Sequence, residues 1–438
     1  MTDPGPMTRP NRRLVIVVRA DPVICGHSGE ARNLAEVALT RGFDDVRLLT
    51  WPIPALRQAG LPLKPLDRIT PYSAGITVER PEPVGDYRVP DGRYMAGLTG
   101  RLVELLAEPV PTTCLSMYLA PHTAVVGDAV ATARAAGYSP DVRTMAKAVG
   151  SDVTNVIRSC LREGRFGAAV VLFTTFLAND QVIAVSEYTR REIVAAAEAV
   201  DARCGTGFAR ECANRVTVSY PPIDTSAYLD LDVALVDAAL ARRGLERDGY
   251  VLFLSRVARA KGVFDLVAAF ARTRSRSRVK LVVAGTGPAL EQVRALAADD
   301  DRIVFLDDVD DEEKPLLMRG CAAYALPTKP EPDFVETFGI ALTEKMLAGG
   351  GPVITTTTGG TGEAVGGTAV IVEAGDVAGI ATAIDRVVLE MSPEERHTMA
   401  ARAREHAMSF DRARVFDDLF ASAPPAAAVS YPDAVAPR

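Results

Sequence analysis

Glu336 and Glu344 bracket the run Thr337-Phe338-Gly339-Ile340-Ala341-Leu342-Thr343. Two carboxylates set this close along the chain can accept hydrogen bonds from hydroxyl groups or neutralise a cation, and their surroundings decide which. The stretch between Thr337 and Gly349 reads as a short helix, with Thr337 as a suitable cap, and Gly349-Gly350-Gly351-Pro352 stops it before the strand-like Val353-Ile354-Thr355. A helix that is apolar almost all round predicts an interior position. Glu344 breaks the pattern. Its neighbours one turn away are Ile340, Ala341, Leu347 and Ala348, and an unpaired charge on such a face costs on the order of several kcal/mol. Either Glu344 belongs to a structural ion pair, or Glu344 and Glu336 accept hydrogen bonds from one polyhydroxyl ligand.

Cations stand in a comparable place. Arg256 and Lys261 bracket the loop after the buried-type run Tyr250-Val251-Leu252-Phe253-Leu254. Ligands of open parallel sheets sit at the carboxyl ends of strands, so these side chains read either as donors to an anionic group or as solvated surface charges. In the first half, Leu14-Val15-Ile16-Val17-Val18 leads through Ile24-Cys25-Gly26-His27-Ser28-Gly29-Glu30 into an amphipathic helix ending near Gly42. Strand, glycine loop and helix start make a phosphate-friendly turn, but Gly-x-Gly-x-x-Gly is missing and a dinucleotide fold is not indicated. His122 opens a helix after an extended run over 112–118, as a ligand contact or as a helix-start histidine with no chemical task. Gly285-Thr286-Gly287 reads as tight strand-to-helix packing. Asp308-Val309-Asp310 runs on into Asp311, Glu312 and Glu313; a charge run is usually a solvated face, so no metal is expected there.

Strands alternate with helices throughout and no hairpin signal intervenes, which predicts an α/β protein with parallel, doubly wound sheets. At 438 residues the chain is too long for one ordinary core. The expected organisation is a disordered tail over 1–12, a domain over 13–228, a second over 229–402, a helix over 403–422 returning to the first domain, and an Ala- and Pro-rich disordered tail over 423–438. Residues 52–92 read as a long irregular insertion of the kind that shapes a substrate mouth, and 143–165 as a helix turning at Gly164. Val182-Ile183-Ala184-Val185-Ser186 is a strand, with Ser186 capping the next helix. A composition of 48% hydrophobic and 24% charged residues describes a soluble globular protein. A net charge of −7 argues against nucleic acid or an anionic membrane as partner. With no secretory signal and no apolar run near the ~20 residues of a membrane span, a cytoplasmic protein is expected. Six cysteines without a Cys-x-x-Cys pair give no support to zinc or redox chemistry.

Glu336-Thr337-Phe338-Gly339 with Glu344 after it, the Gly351-Pro352-Val353 strand and Gly359-Gly360…Glu363 together resemble the retaining glycosyltransferases of family 4. Ser255-Arg256-Val257 with Lys261-Gly262, the 282–288 run Val-Val-Ala-Gly-Thr-Gly-Pro, and Val185-Ser186-Glu187-Tyr188-Thr189 follow the same pattern, so the resemblance covers roughly residues 14–420. It implies the GT-B fold, two facing Rossmann-like domains with the active site in the cleft between them. It also implies that Arg256 and Lys261 neutralise a donor diphosphate, that Glu344 holds the ribose and Glu336 the sugar, and that N–H groups of Phe338, Gly339 and Ile340 face the diphosphate. Gly29 and His122 fall beside the donor. Glu336, His122, Arg256 and Lys261 are the implied catalytic set, acting by front-face departure and attack with no cofactor and no metal, rather than through a glycosyl-enzyme intermediate.

The segments Arg19-Ala20-Asp21-Pro22, Glu30-Ala31-Arg32-Asn33 and Ala148-Val149-Gly150-Ser151-Asp152 are similar to the actinomycete enzymes that glycosylate 2-deoxystreptamine in aminoglycoside antibiotic synthesis. That implies transfer of N-acetylglucosamine from UDP-N-acetylglucosamine, with UDP-glucose as the other donor, and Glu30 and Asp152 as carboxylates for the acceptor's ammonium groups. A transferase for a phosphosugar or lipid acceptor, and a non-transferring nucleotide-sugar protein of the same fold, remain open.

Overall fold

The computed structural model describes residues 12–84, 90–297, 300–332 and 334–421. The two expected tails lie almost wholly outside these residues, as do Asp333 and part of the 52–92 insertion. The first sheet contains β1 (Arg13–Val17), β2 (Asp45–Leu49), β3 (Ile76–Glu79), β4 (Thr112–Met117), β5 (Val142–Ala148), β6 (Gln181–Ala184) and β7 (Val216–Val218), in the order β3-β2-β1-β4-β5-β6-β7. The second contains β8 (Tyr250–Leu254), β9 (Lys280–Ala284), β10 (Ile303–Leu306), β11 (Ala323–Leu326), β12 (Val353–Thr355) and β13 (Val370–Ile371), in the order β10-β9-β8-β11-β12-β13. Every pairing is parallel. Parallel sheets are covered on both faces, which is why β1 is buried along its whole length and reads as an apolar run after Arg13. In each sheet the order reverses beside its first strand, β1 or β8, and a crevice opens at the carboxyl ends there.

Three stretches differ from the sequence reading. Residues 142–148 form β5, not the start of a helix; Val-Arg-Thr-Met-Ala-Lys-Ala has one branched apolar residue and several helix formers, and its strand state comes from pairing with β4 and β6 on both sides. The insertion carries the helix Ile53–Gln58 and the edge strand β3, and the helix after it begins at Pro90. Ala403 lies inside the helix Pro393–Ala407, which packs against the helix Ile340–Ala348 of the second domain. The segment that reaches back is the helix Arg412–Ala421: Phe416 and Phe420 pack edge-on against Phe43 at 6.2 and 5.6 Å, and Arg41 pairs with Asp417 at 2.6 Å.

The two strands of chain that cross between domains are tied together. Ile223 N–H donates to the Phe410 carbonyl and Arg412 N–H to the Ile223 carbonyl, each at 2.9 Å, while Thr225 Oγ1 donates to Asp411 at 2.6 Å. Tyr220, Phe338 and Phe410 pack as a trio with ring centroids 5.0–5.5 Å apart, so the Phe338 loop is anchored at the crossing. Among the described residues no helix is long and apolar enough to cross a membrane.

Candidate functional site

The helix Ile340–Ala348 begins at Gly339, whose φ of 106° only glycine adopts cheaply, and no side chain caps it. Thr337 was the expected cap. Instead its hydroxyl reaches the first domain and donates to the Val149 carbonyl at 3.4 Å. The N–H groups of Phe338, Gly339 and Ile340 therefore meet no acceptor among the described residues. A methyl group on Gly359 would stand 2.0 Å from the Glu336 carbonyl, so glycine there lets the loop after β12 lie directly on the Glu336–Thr337 turn.

Across the cleft, the helix Gly26–Thr40 likewise starts without a side-chain cap. Its Gly26 faces the second helix: a methyl there would lie 3.1 Å from Ile340 Cδ1. Two helix N-termini from different domains thus converge, each with partial positive charge and unused donors. Gly29 contributes less than expected, because it sits a turn inside and its N–H is directed to the Cys25 carbonyl at 3.5 Å; among the described residues the N–H groups of Gly26 and His27 meet no backbone acceptor. Arg256 is exposed beside this gap, with its guanidinium 5.6 Å from the Phe334 ring centroid and the Lys261 ammonium 5.2 Å from the same ring. On the first domain Arg19 lies 4.9 Å over the Tyr118 ring. No carboxylate pairs with Arg19 or Arg256 among the described residues, and Arg19 Nε, His27 Nε2 and Ser28 Oγ are buried without hydrogen-bond partners. Burial, helped by the guanidinium groups of Arg19 and Arg256, holds the His27 pKa down to about 3, so the ring is neutral.

Both glutamates have partners within the protein, and for Glu344 this is the structural ion pair that the sequence left as one of two alternatives. Glu336, 11% exposed, forms an ion pair with Lys261. Glu344, 16% exposed, accepts at Oε1 from both Lys314 Nζ and the Tyr228 hydroxyl, each at 2.8 Å. Burial works to lower the Lys314 pKa, but Glu344 and Tyr228 outweigh it and the ammonium stays above the ordinary lysine value. Lys314 and Tyr228 carried no motif in the sequence. Asp308 and Asp310 are also engaged: Asp308 pairs with Arg243 at 3.0 Å, and Asp310 accepts from the N–H groups of Glu312 and Glu313.

His122 is 1% exposed. Its Nε2 accepts from the Trp51 indole N–H at 3.2 Å, so the proton resides on Nδ1, which points toward the Met117 carbonyl without closing a bond of good geometry. Burial, then Arg19 and His27, hold its pKa near 3. A chemical role for His122 would have to use Nδ1. Tyr118, whose φ of 94° is strained for a non-glycine residue, carries its ring between Arg19, His27 and His122. Only the strain marks it, and the sequence gives no sign of that.

The two expected acceptor carboxylates do not line the mouth. Glu30 is buried and paired with the fully buried Lys147 at 2.8 Å. Asp152 is buried and accepts from the N–H groups of Leu119, Val149, Gly150 and Val153 at 2.9–3.2 Å. Both hold the ends of first-domain strands in place.

Residues 240–406 match the family described as glycosyl transferases group 1. The chain is 33% identical over 180 residues to glycogen synthase of Mycobacterium tuberculosis, covering 39% of this chain and 42% of that protein. It is 32% identical over 166 residues to N-acetyl-alpha-D-glucosaminyl L-malate synthase of Bacillus anthracis, covering 36% and 41%. The chain thus spans about two fifths of the length of these relatives. In three dimensions it is similar over nearly its whole length to Anabaena HepE in complex with UDP and glucose, with a TM-score of 0.67, 18% identity, and 94% and 99% of the two chains covered. The fold is GT-B: two parallel-sheet, Rossmann-like α/β domains facing one another.

Proposed function

We propose, for a chain whose second domain carries the group 1 glycosyl transferase signature, that it is a retaining hexosyltransferase moving N-acetylglucosamine from UDP-N-acetylglucosamine to 2-deoxystreptamine, giving 2'-N-acetylparomamine. One observation carries the donor half of this reading: two uncapped helix starts converge beside Arg256 and Arg19, which no carboxylate among the described residues pairs, at the carboxyl edges of both sheets. Such a gap suits a diphosphate, whose oxygens would accept from the free N–H groups while the guanidinium groups offset its charge.

In the proposed reaction the bond between the anomeric carbon and the leaving phosphate oxygen breaks. The acceptor hydroxyl adds from the same face and its proton passes to that phosphate oxygen. Arg256 and the helix starts stabilise the negative charge that develops on the departing UDP. Lys261, already at Glu336, stands where it can share itself between that carboxylate and the phosphate, leaving Glu336 for a sugar hydroxyl. Glu344 meets its partners at Oε1, and its other oxygen, without a partner among the described residues, would accept from the ribose. No metal ion enters the step.

The choice of sugar and acceptor rests on the first-domain segments that resemble the 2-deoxystreptamine enzymes, and UDP-glucose is the alternative donor. With Glu30 and Asp152 turned inward, other carboxylates must meet the acceptor's ammonium groups. A second reading has its own support: unpaired Arg19 in the first-domain wall favours an anionic acceptor, and the Bacillus anthracis relative is named for L-malate. The test is to incubate the protein with UDP-N-acetylglucosamine or UDP-glucose and, in separate arms, 2-deoxystreptamine, L-malate or a lipid acceptor. Mass spectrometry reads the product and the anomeric proton coupling reads retention. Product only in the 2-deoxystreptamine arm supports the first reading, product only with malate the second, and no transfer in any arm overturns both.

A further inference from the structure

Resting on the donor site just proposed, we infer that His27 is a specificity-determining contact of this chain, donating from Nε2 to a phosphoryl oxygen of the nucleoside diphosphate in the gap between the helices that start at Gly26 and Ile340. Nε2 is buried and unpartnered, and a buried polar atom without a hydrogen bond is destabilising unless a ligand supplies the missing group. The charged groups acting on the ring are Arg19 from the first domain and Arg256 from the second, both cations. An oxygen bearing negative charge answers all three; a sugar hydroxyl would leave the guanidinium groups unmet. The ring sits in the first turn of the helix Gly26–Thr40, 6.0 Å from Tyr118, and adjacent Gly26 is against Ile340. The helix start that carries His27 therefore lies against the helix start at Ile340. The imidazole is neutral, so it adds direction to the phosphate site without a third full charge.

Calorimetric titration of the intact protein with UDP and with uridine tests this. His27→Ala should weaken UDP roughly ten- to a hundredfold, the range of one hydrogen bond to a charged group, and leave uridine unchanged. His27→Gln, which keeps a side-chain N–H donor, should recover part of the loss; it also serves if the alanine variant does not fold. Equal weakening of UDP and uridine would show that His27 acts by packing, and unchanged UDP affinity in both variants would show no contact; either overturns the inference while the donor site stands. Wild-type protein that binds no UDP would overturn the site and the inference together.

Discussion

Glu363 offers a sharp test of how the domains close. Its carboxylate, on the second domain, accepts from the N–H groups of Glu187 at 2.8 Å and Tyr188 at 2.7 Å, the first two of the helix Glu187–Cys204 in the first domain. Ser186 caps the same helix from within, accepting from Thr189 N–H at 3.1 Å. One helix end is thus capped partly by its own domain and partly by the other. Glu363→Gln keeps one acceptor oxygen but turns an amide NH2 toward the second N–H and removes the charge at the helix start. The loss is about one charge-assisted hydrogen bond plus part of a helix-dipole interaction, together about 2–3 kcal/mol. Because the contact exists only when the domains are together, that loss falls on the closed form, shifting closed against open by roughly 30- to 150-fold. Single-molecule energy transfer between dyes on the two domains reads the shift directly. Ser186→Ala, about 1 kcal/mol within one domain, should lower the melting temperature without moving the interdomain distance. Identical distance distributions for wild type and Glu363→Gln would refute the reasoning.

Four further outcomes are expected. Gly150→Ala should lower stability by about 2 kcal/mol or more and impair closure, because φ is 115° and the added methyl would lie 2.3 Å from Thr337 Oγ1 across the cleft; a melting temperature equal to wild type would contradict the contact. Lys314→Met removes the cation that meets Glu344 and should cost about 2 kcal/mol in denaturant unfolding, less than the ~3–5 kcal/mol of a fully buried pair because both side chains are partly exposed. His27 and His122, held near pKa 3 in the fold against 6.5 when free, bind fewer protons folded than unfolded. Stability is therefore present above pH 6.5 and lost as pH falls, about 2 kcal/mol per histidine by pH 5, and His122→Asn should flatten that slope in urea titrations between pH 7 and 5. Chelation of divalent ions should leave turnover unchanged; its abolition would overturn the metal-free step.

The alternation of strands and helices and most strand positions were legible because a buried parallel strand advertises itself through its own residues. β1, β8 and β9 are such runs. β5 was not, since a strand that gains its state from neighbours on both sides can be written with helix formers. The edge strand β3 was hidden for the opposite reason: one side pairs, little of it is buried, and a proline- and glycine-rich setting masks its four residues. For the site, the acidic and basic positions in motifs were found, but their partners were not. Lys314 lies 30 residues before Glu344, and Glu336 lies 75 after Lys261; helical periodicity reports what an element does to itself and nothing about what another element brings to it.

That blindness changes which residues count as signals of a ligand. A carboxylate on an apolar helix face looks like an unmet need only while its lysine is out of view; with Lys314 and Lys261 in place, Glu344 and Glu336 are near-neutral pairs that the fold tolerates unaided. The same logic turned on the donors gives the opposite result. Arg19 and Arg256 find no carboxylate among the described residues, the N–H groups at two helix starts find no acceptor, and His27 Nε2 and Ser28 Oγ are buried without one. Donors outnumber acceptors along this one seam between the domains, and a fold leaves that imbalance uncorrected at a cost in stability. The charge the seam lacks is negative and rich in oxygen. A diphosphate supplies both, with Arg19 and Arg256 as the cations that no carboxylate among the described residues already holds, whereas Lys261 is engaged by Glu336.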